Sequence, residues 1–208
     1  MIVVAGPPGS GKTSGLPATS FGVDSFNADD RAAQLNQGSY HKISRTIRAK
    51  ANLEFEQWIR QHIDKKKSFA LETTLRSQIT FEQSHWAHSE GFWTSMHFIN
   101  AGSVEQCVQR VMYRSYRGGH SASEKLVADI YHHSTSNLLF ALDFENSKFE
   151  TVRIYDNSSS DLPVRELMNV HHGRGLRLST DIPDWVDELL RGTEFDIERV
   201  RKALSQKT

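Results

Sequence analysis

The stretch "MIVVAGPPGSGKT" (residues 1–13) decides the fold. Ile2 to Ala5 are apolar and make a short buried strand. Gly6, Gly11, Lys12 and Thr13 then fill every fixed position of G-x-x-x-x-G-K-[ST]. Such a loop curls so that successive backbone N–H groups face inward, and a helix beginning at its end adds unpaired N–H groups and partial positive charge. The expected cradle is Gly6, Pro7, Pro8, Gly9, Ser10, Gly11, Lys12 and Thr13, with Ser14 just inside the helix. Lys12 brings a point charge to the β- and γ-phosphates, and the Thr13 hydroxyl is a ligand for Mg²⁺. A glycine-rich turn that binds nothing is the competing reading. The strand before the loop and the helix after it argue against that. The expected ligand is ATP, with GTP as the alternative, together with Mg²⁺.

Outward from this loop, apolar runs alternate with helix-period segments. Strands are expected at 1–5, 23–30, 68–72, 92–100 and 149–156. Helices are expected after the loop until Pro17, from Ser44 to Lys66, from Ser77 to Gly91, from Ser103 to Arg117, and after Ser123. Strand–helix alternation with short links predicts an α/β fold with a mostly parallel central sheet, a P-loop three-layer sandwich. Residues 1–160 form the core, and 161–208 are expected as a helical extension packed on it within the same domain, with two amphipathic helices in "DIPDWVDELLRGTEFDIERVRKAL".

Composition narrows the function. The 208 residues carry 25 Lys+Arg and 25 Asp+Glu, a net charge of zero, which gives no overall field to steer nucleic acid or membranes. The ten histidines include adjacent pairs at 132–133 and 171–172, which is not metal-ligand spacing. Cys107, the one cysteine, falls in a helical pattern and reads as a small core residue. It permits no internal disulfide, and the N-terminus has no basic region ahead of its apolar run. A cytoplasmic protein without a membrane span is expected.

Three further stretches can share the crevice at the carboxyl ends of parallel strands, where ligands collect. In "FNADDR" (26–31), Asp29 is placed to hold the metal or activate an acceptor hydroxyl, and Asp30 to cap a helix. In "FALETTLRS" (69–77), Glu72, Thr73 and Thr74 surround a polar acceptor, and Arg76 grips an anionic part of it. In "QRVMYRSYRGGHSAS" (109–123), Arg110, Arg114 and Arg117 recur on one helical face ahead of Gly118-Gly119. That is the composition of a lid, about 110–123, closing over the triphosphate, with His120 a further member. "RIYDNSSS" (153–160) follows the last strand, so that Asp156, Asn157 and Ser158 can lie beside the base; an ordinary Asx turn is the alternative.

Taken in order, "VVAGPPGSGKT", "FNADD", "FALETTLR", "RSYRGGHSASE" and "RIYDNS" resemble the zeta-toxin family of P-loop kinases over residues 1 to about 158. The resemblance implies ATP- and Mg²⁺-dependent phosphorylation of a nucleotide-sugar hydroxyl, that of UDP-N-acetylglucosamine, and a small helical antitoxin as partner. It implies that Lys12 and Thr13 hold phosphates and metal, that Asp29 is the catalytic base, that Glu72 and Thr73 hold the acceptor, and that the arginines of 110–117 act from the lid. The chain departs from the family's prototypes at Asn27, where they carry an acid, and at Thr73, where they carry glycine. The competing functions are a kinase of another hydroxyl acceptor, such as an antibiotic or a polynucleotide 5′ end, and a non-catalytic ATP-binding switch. Zero net charge argues against the polynucleotide.

Overall fold

The computed structural model describes residues 1–117, 122–159 and 161–206. In chain order the elements are β1 (Ile2–Ala5), α1 (Lys12–Gly15), a 3₁₀ turn (Ala18–Phe21), β2 (Asp24–Phe26), α2 (Ala28–Leu35), α3 (Arg45–Asp64) and β3 (Phe69–Thr73). They continue with α4 (Ile79–Ser89), β4 (Ser95–Asn100), α5 (Val104–Tyr116), α6 (Glu124–Leu142), α7 (Phe144–Ser147) and β5 (Thr151–Asp156). Last come β6 (Arg165–His171), β7 (Gly175–Leu178), α8 (Asp184–Leu190) and α9 (Ile197–Ser205).

These strands form one seven-stranded sheet in the order β2-β3-β1-β4-β5-β6-β7. The first five are parallel; β6 and β7 are antiparallel additions. The expected α/β architecture is therefore present, and the carboxyl ends of β1 to β5 share one edge. β1 lies between β3 and β4, with Ala5 level with Thr73 on one side and Phe98 on the other. The loops after β1 and β3 are thus neighbours, while β2 stands one strand further out.

Alternation along the strands sorts the core. Val3, Ala5, Leu71, Met96, Phe98, Val152 and Ile154 face a large cluster completed by Ile59 and Ile63 of α3, Phe81 of α4, Leu138 of α6, and Val186 and Leu190 of α8. On the opposite face Val4, Ala70 and Ile99 meet Leu16, Ala18 and Phe21. That second layer is thin. Pro17 cuts α1 to a single turn, as its fixed φ and missing N–H require.

Two expectations are corrected. The second strand stops at Phe26 instead of running to residue 30, and helix α2 starts at Ala28. Residues beyond 160 are not wholly helical, because 165–178 form a hairpin that extends the sheet. Met168 and Val170 of that hairpin are buried in the main core, which ties the extension to the rest. The two C-terminal helices occur where the amphipathic pattern places them. No described helix is long and apolar enough to cross a membrane.

Candidate active site

The phosphate loop is held from three sides. Gly6 runs at φ +143°, and a side chain there would strike the Ile99 carbonyl. Gly9 runs at φ +79°, and a Cβ would lie 2.5 Å from the Cys107 carbonyl oxygen at the start of α5. Only glycine accepts both the dihedral and the close approach. Asn157 completes the frame: its side-chain amide donates to the Ser10 carbonyl at 2.8 Å, and its backbone N–H donates to the Asn100 carbonyl at 2.8 Å. Ser10 is fully buried, and among the described residues its hydroxyl has no hydrogen-bond partner.

Lys12 is 7% exposed, and its ammonium donates to the Gly6 and Pro7 carbonyls at 2.7 and 3.0 Å, back into its own loop. Burial pulls its pKa below the usual lysine range, and the Arg114 guanidinium adds to that; Glu72 and Asp29 oppose it. The charges of Glu72 on β3, Asp29 in α2 and Arg114 in α5 thus all act on Lys12. Thr13 is exposed, and its hydroxyl donates to both carboxylate oxygens of Glu72 at 3.1 and 3.2 Å. Ser14 donates to the Gly11 carbonyl at 3.4 Å.

At the end of β3, the Thr73 hydroxyl accepts from the Leu75 N–H at 3.1 Å. That contact closes a tight turn in which Leu75 has φ 55°. The hydroxyl oxygen thereby braces the turn. Thr74 is half-buried beside it, and Arg76 is exposed on the outer side.

Beyond β2, Asn27 and not Asp30 caps α2, accepting from the Asp29 and Asp30 N–H groups at 2.9 and 3.2 Å. The helix starts three residues earlier than it would with Asp30 as the cap, so both acids lie in its first turn. Asp30 accepts from the Tyr40 hydroxyl at 2.7 Å. Asp29, with 56% of its side chain exposed, pairs with Arg48 at 3.6 Å. The Tyr40 hydroxyl is pushed up to about 12, first by its bond to Asp30 and then by burial; Arg114 opposes the shift. Tyr40 and Arg48 were not singled out in the sequence. Their signal is "RAAQLNQGSYHKISRTIRAKANL" (31–53), which holds five Lys or Arg and no acid in a chain of zero net charge.

The three lid arginines separate. The charge of Arg114 reaches Lys12 and Tyr40. Arg110 is half-buried, and its charge acts on Cys107. Arg117 stacks over Tyr113 of its own helix, 4.7 Å from the ring centre. Gly118, Gly119 and His120 lie outside the described residues. Cys107 is fully buried, as expected of a core residue, and burial pushes its thiol up to about 11. Asp156 is structural. It is 5% exposed and accepts from Trp185 Nε1 at 3.0 Å, Ser158 Oγ at 2.9 Å and Arg165 Nε at 3.3 Å. This leaves it no free face for a base.

No protein-family model matches the chain. An uncharacterized protein of Haemophilus influenzae is 28% identical over 130 residues, covering 61% of this chain and 88% of the relative. Among solved structures, one from the PezAT chromosomal toxin-antitoxin system of Streptococcus pneumoniae superposes with a TM-score of 0.59 at 15% identity, covering 100% of this chain and 85% of the other. AvrRxo1-ORF1:-ORF2, solved with ATP, gives a TM-score of 0.65 at 14% identity, covering 86% of this chain and 60% of the other. Sheet order, phosphate loop and these neighbours give the chain the fold of the P-loop kinases, and the resemblance to zeta toxins holds at the level of that fold.

Proposed function

We propose that this chain is an ATP-dependent phosphotransferase acting on a hydroxyl of a small metabolite. One observation carries the reading: the Thr13 hydroxyl of the phosphate loop meets the Glu72 carboxylate at the end of β3, and the charges of Glu72, Asp29 and Arg114 converge on Lys12. A passive nucleotide-binding switch needs the loop and has no use for that convergence.

The roles follow from placement. The loop N–H groups and Lys12 seat the triphosphate, and bound Mg²⁺ would neutralise phosphate charge beside Thr13. The acceptor hydroxyl enters on the Asp29 side. Its oxygen forms the new bond to the γ-phosphorus as the β–γ bridging P–O bond breaks. ADP leaves with that electron pair, and the hydroxyl proton passes to the Asp29 carboxylate. Arg114 faces the charge that develops on the phosphoryl oxygens; Arg110 is its half-buried neighbour. Arg117, stacked on Tyr113, has the weakest claim of the three. Asn157 serves nucleotide binding by bracing the loop at Ser10.

The acceptor class we favour is a nucleotide-sugar such as UDP-N-acetylglucosamine, on the resemblance carried by "LETTLR" together with the basic segment 31–53 beside Asp29. A small helical antitoxin is the partner we favour, supported by the toxin-antitoxin system to which one neighbour belongs. The test is ³¹P NMR of the protein with ATP, Mg²⁺ and a panel of UDP-sugars. A new phosphomonoester resonance with UDP-N-acetylglucosamine, lost in Asp29→Asn, is expected. No acceptor-dependent product in ATP-binding protein would remove the nucleotide-sugar assignment.

A further inference from the structure

We propose that Arg48 restrains Asp29 until an anionic group of the acceptor draws it away. The device presupposes the phosphotransferase reading and regulates its site. Arg48 Nη1 stands 3.6 Å from Asp29 Oδ1 and joins the first turn of α3 to the first turn of α2. The two side chains are 43% and 56% exposed. Such a pair is weak and is readily exchanged for a better partner. A phosphate or carboxylate that accepts two N–H bonds from the guanidinium is a better partner.

Positive charge is in place for such a group. Of the five cations in 31–53, Arg31 pairs with Glu54 at 2.5 Å, and the Lys50 charge also acts on Glu54. Lys42, Arg45 and Arg48 remain. Lys42 and Arg45 are exposed, and neither pairs with a carboxylate among the described residues. The loop ahead of α3 is fixed. Its Asn36 amide donates to the Ser39 and His41 carbonyls at 2.8 and 3.0 Å, and its Tyr40 hydroxyl donates to Asp30. The Arg114 charge reaches Tyr40 from α5, so this loop borders the crevice. The first turn of α3 carries Arg45 and Arg48 and no acid. Cations there oppose the helix dipole, so helix stability does not account for them.

The restraint answers a chemical hazard. Asp29 is open to water, and water can take the acceptor's place. Its oxygen then bonds to the γ-phosphorus as the β–γ bridging P–O bond breaks, ADP leaves with the electron pair, and Asp29 takes the proton. ATP is lost as inorganic phosphate. With Arg48 beside it, the Asp29 carboxylate is held toward α3. An acceptor bearing its own anion draws Arg48 away and frees the carboxylate as the hydroxyl arrives. Water and neutral alcohols do not. Arg48 is thus a positioning residue that acts on the chemistry through Asp29. The alternative is an ordinary surface pair between α2 and α3, which has no bearing on hydrolysis.

The test is release of inorganic phosphate from saturating Mg-ATP by the full chain without acceptor. Arg48→Gln is expected to raise kcat about 2- to 5-fold, the range open to a pair this exposed, with KM for ATP unchanged. Arg48→Lys keeps the charge and recovers most of the restraint. Arg48→Gln combined with Asp29→Asn loses the gain, because the effect runs through the carboxylate. A variant harmed only in folding loses activity instead of gaining it. With γ-³²P-labelled ATP and a small-metabolite extract, the labelled product of wild type leaves an anion exchanger later than sugar monophosphates, because it carries the acceptor's own charge. Arg48→Gln shifts label from that product to inorganic phosphate. Unchanged hydrolysis in Arg48→Gln, a gain that survives Asp29→Asn, or a product eluting with sugar monophosphates overturns the proposal. No labelled metabolite from wild type that binds ATP overturns the phosphotransferase reading and the restraint with it, an outcome distinct from these.

Discussion

At the scale of single residues, the loop glycines give the sharpest structural prediction. Gly9→Ala places a Cβ 2.5 Å from a backbone carbonyl at φ +79°, and backbone atoms cannot swing away as a flexible side chain can. We expect roughly 2–4 kcal/mol of lost stability and collapse of ATP affinity, read from urea unfolding and from titration with Mg-ATP. An alanine variant that binds ATP normally would mean the loop can shift away from α5. His97 gives a second prediction, in pH. It is 6% exposed on β4, packed between Phe21 and Tyr155, and bonded to the Tyr155 hydroxyl at 3.1 Å. Burial, helped by the Arg153 charge, lowers its pKa from 6.5 to about 4. The unfolded chain therefore takes up a proton at this site that the folded chain refuses. This contribution to stability is fully present above pH 6.5, falls as pH drops toward 4, and amounts to about 3 kcal/mol at most. Replacing His97 by Gln should flatten the urea midpoint between pH 6.5 and 4.5; an unchanged slope would assign it to other groups.

At the scale of elements, the cap of α2 links local structure to chemistry. Asn27 satisfies two N–H groups of the turn that carries Asp29. Asn27→Ala should cost about 1 kcal/mol and lower phosphoryl transfer more than ATP binding, seen as a reduced kcat with unchanged ATP affinity. Equal loss of both would place Asn27 in general folding. This element also marks how far the sequence could be read. The five parallel strands were legible because each is a short apolar run bounded by turn or cap residues. Asn27 was missed because two acids follow it, and any of the three can cap. The hairpin 165–178 was missed for a different reason. Leu167 and Met168 interrupt the period-2 pattern where the β5–β6 register shifts, so the alternation breaks at the residues that bury it. Gly173-Arg174-Gly175 was its remaining signal.

At the scale of the whole molecule, the hairpin makes the C-terminal segment part of the core. Met168 is fully buried in the main cluster beside Ile154 of β5. Met168→Ala should destabilise the whole chain by roughly 2–5 kcal/mol in one cooperative transition. A separate early transition for the C-terminal segment would contradict that. The site itself was only partly legible. The loop and Glu72 are local in sequence, but the contact from Thr13 to Glu72 depends on β1 and β3 being neighbours in the strand order. No spacing along the chain encodes that order.

The central claim is that this crevice transfers a phosphoryl group, and it can be tested before the acceptor is known. The protein would be incubated with γ-³²P-labelled ATP, Mg²⁺ and a protein-free extract of small metabolites, alongside Asp29→Asn. The account predicts label moving from ATP into a metabolite other than phosphate with wild type, and none with Asp29→Asn, although both bind ATP. Label released only as inorganic phosphate, or retained in ATP, by wild type that binds ATP would contradict it.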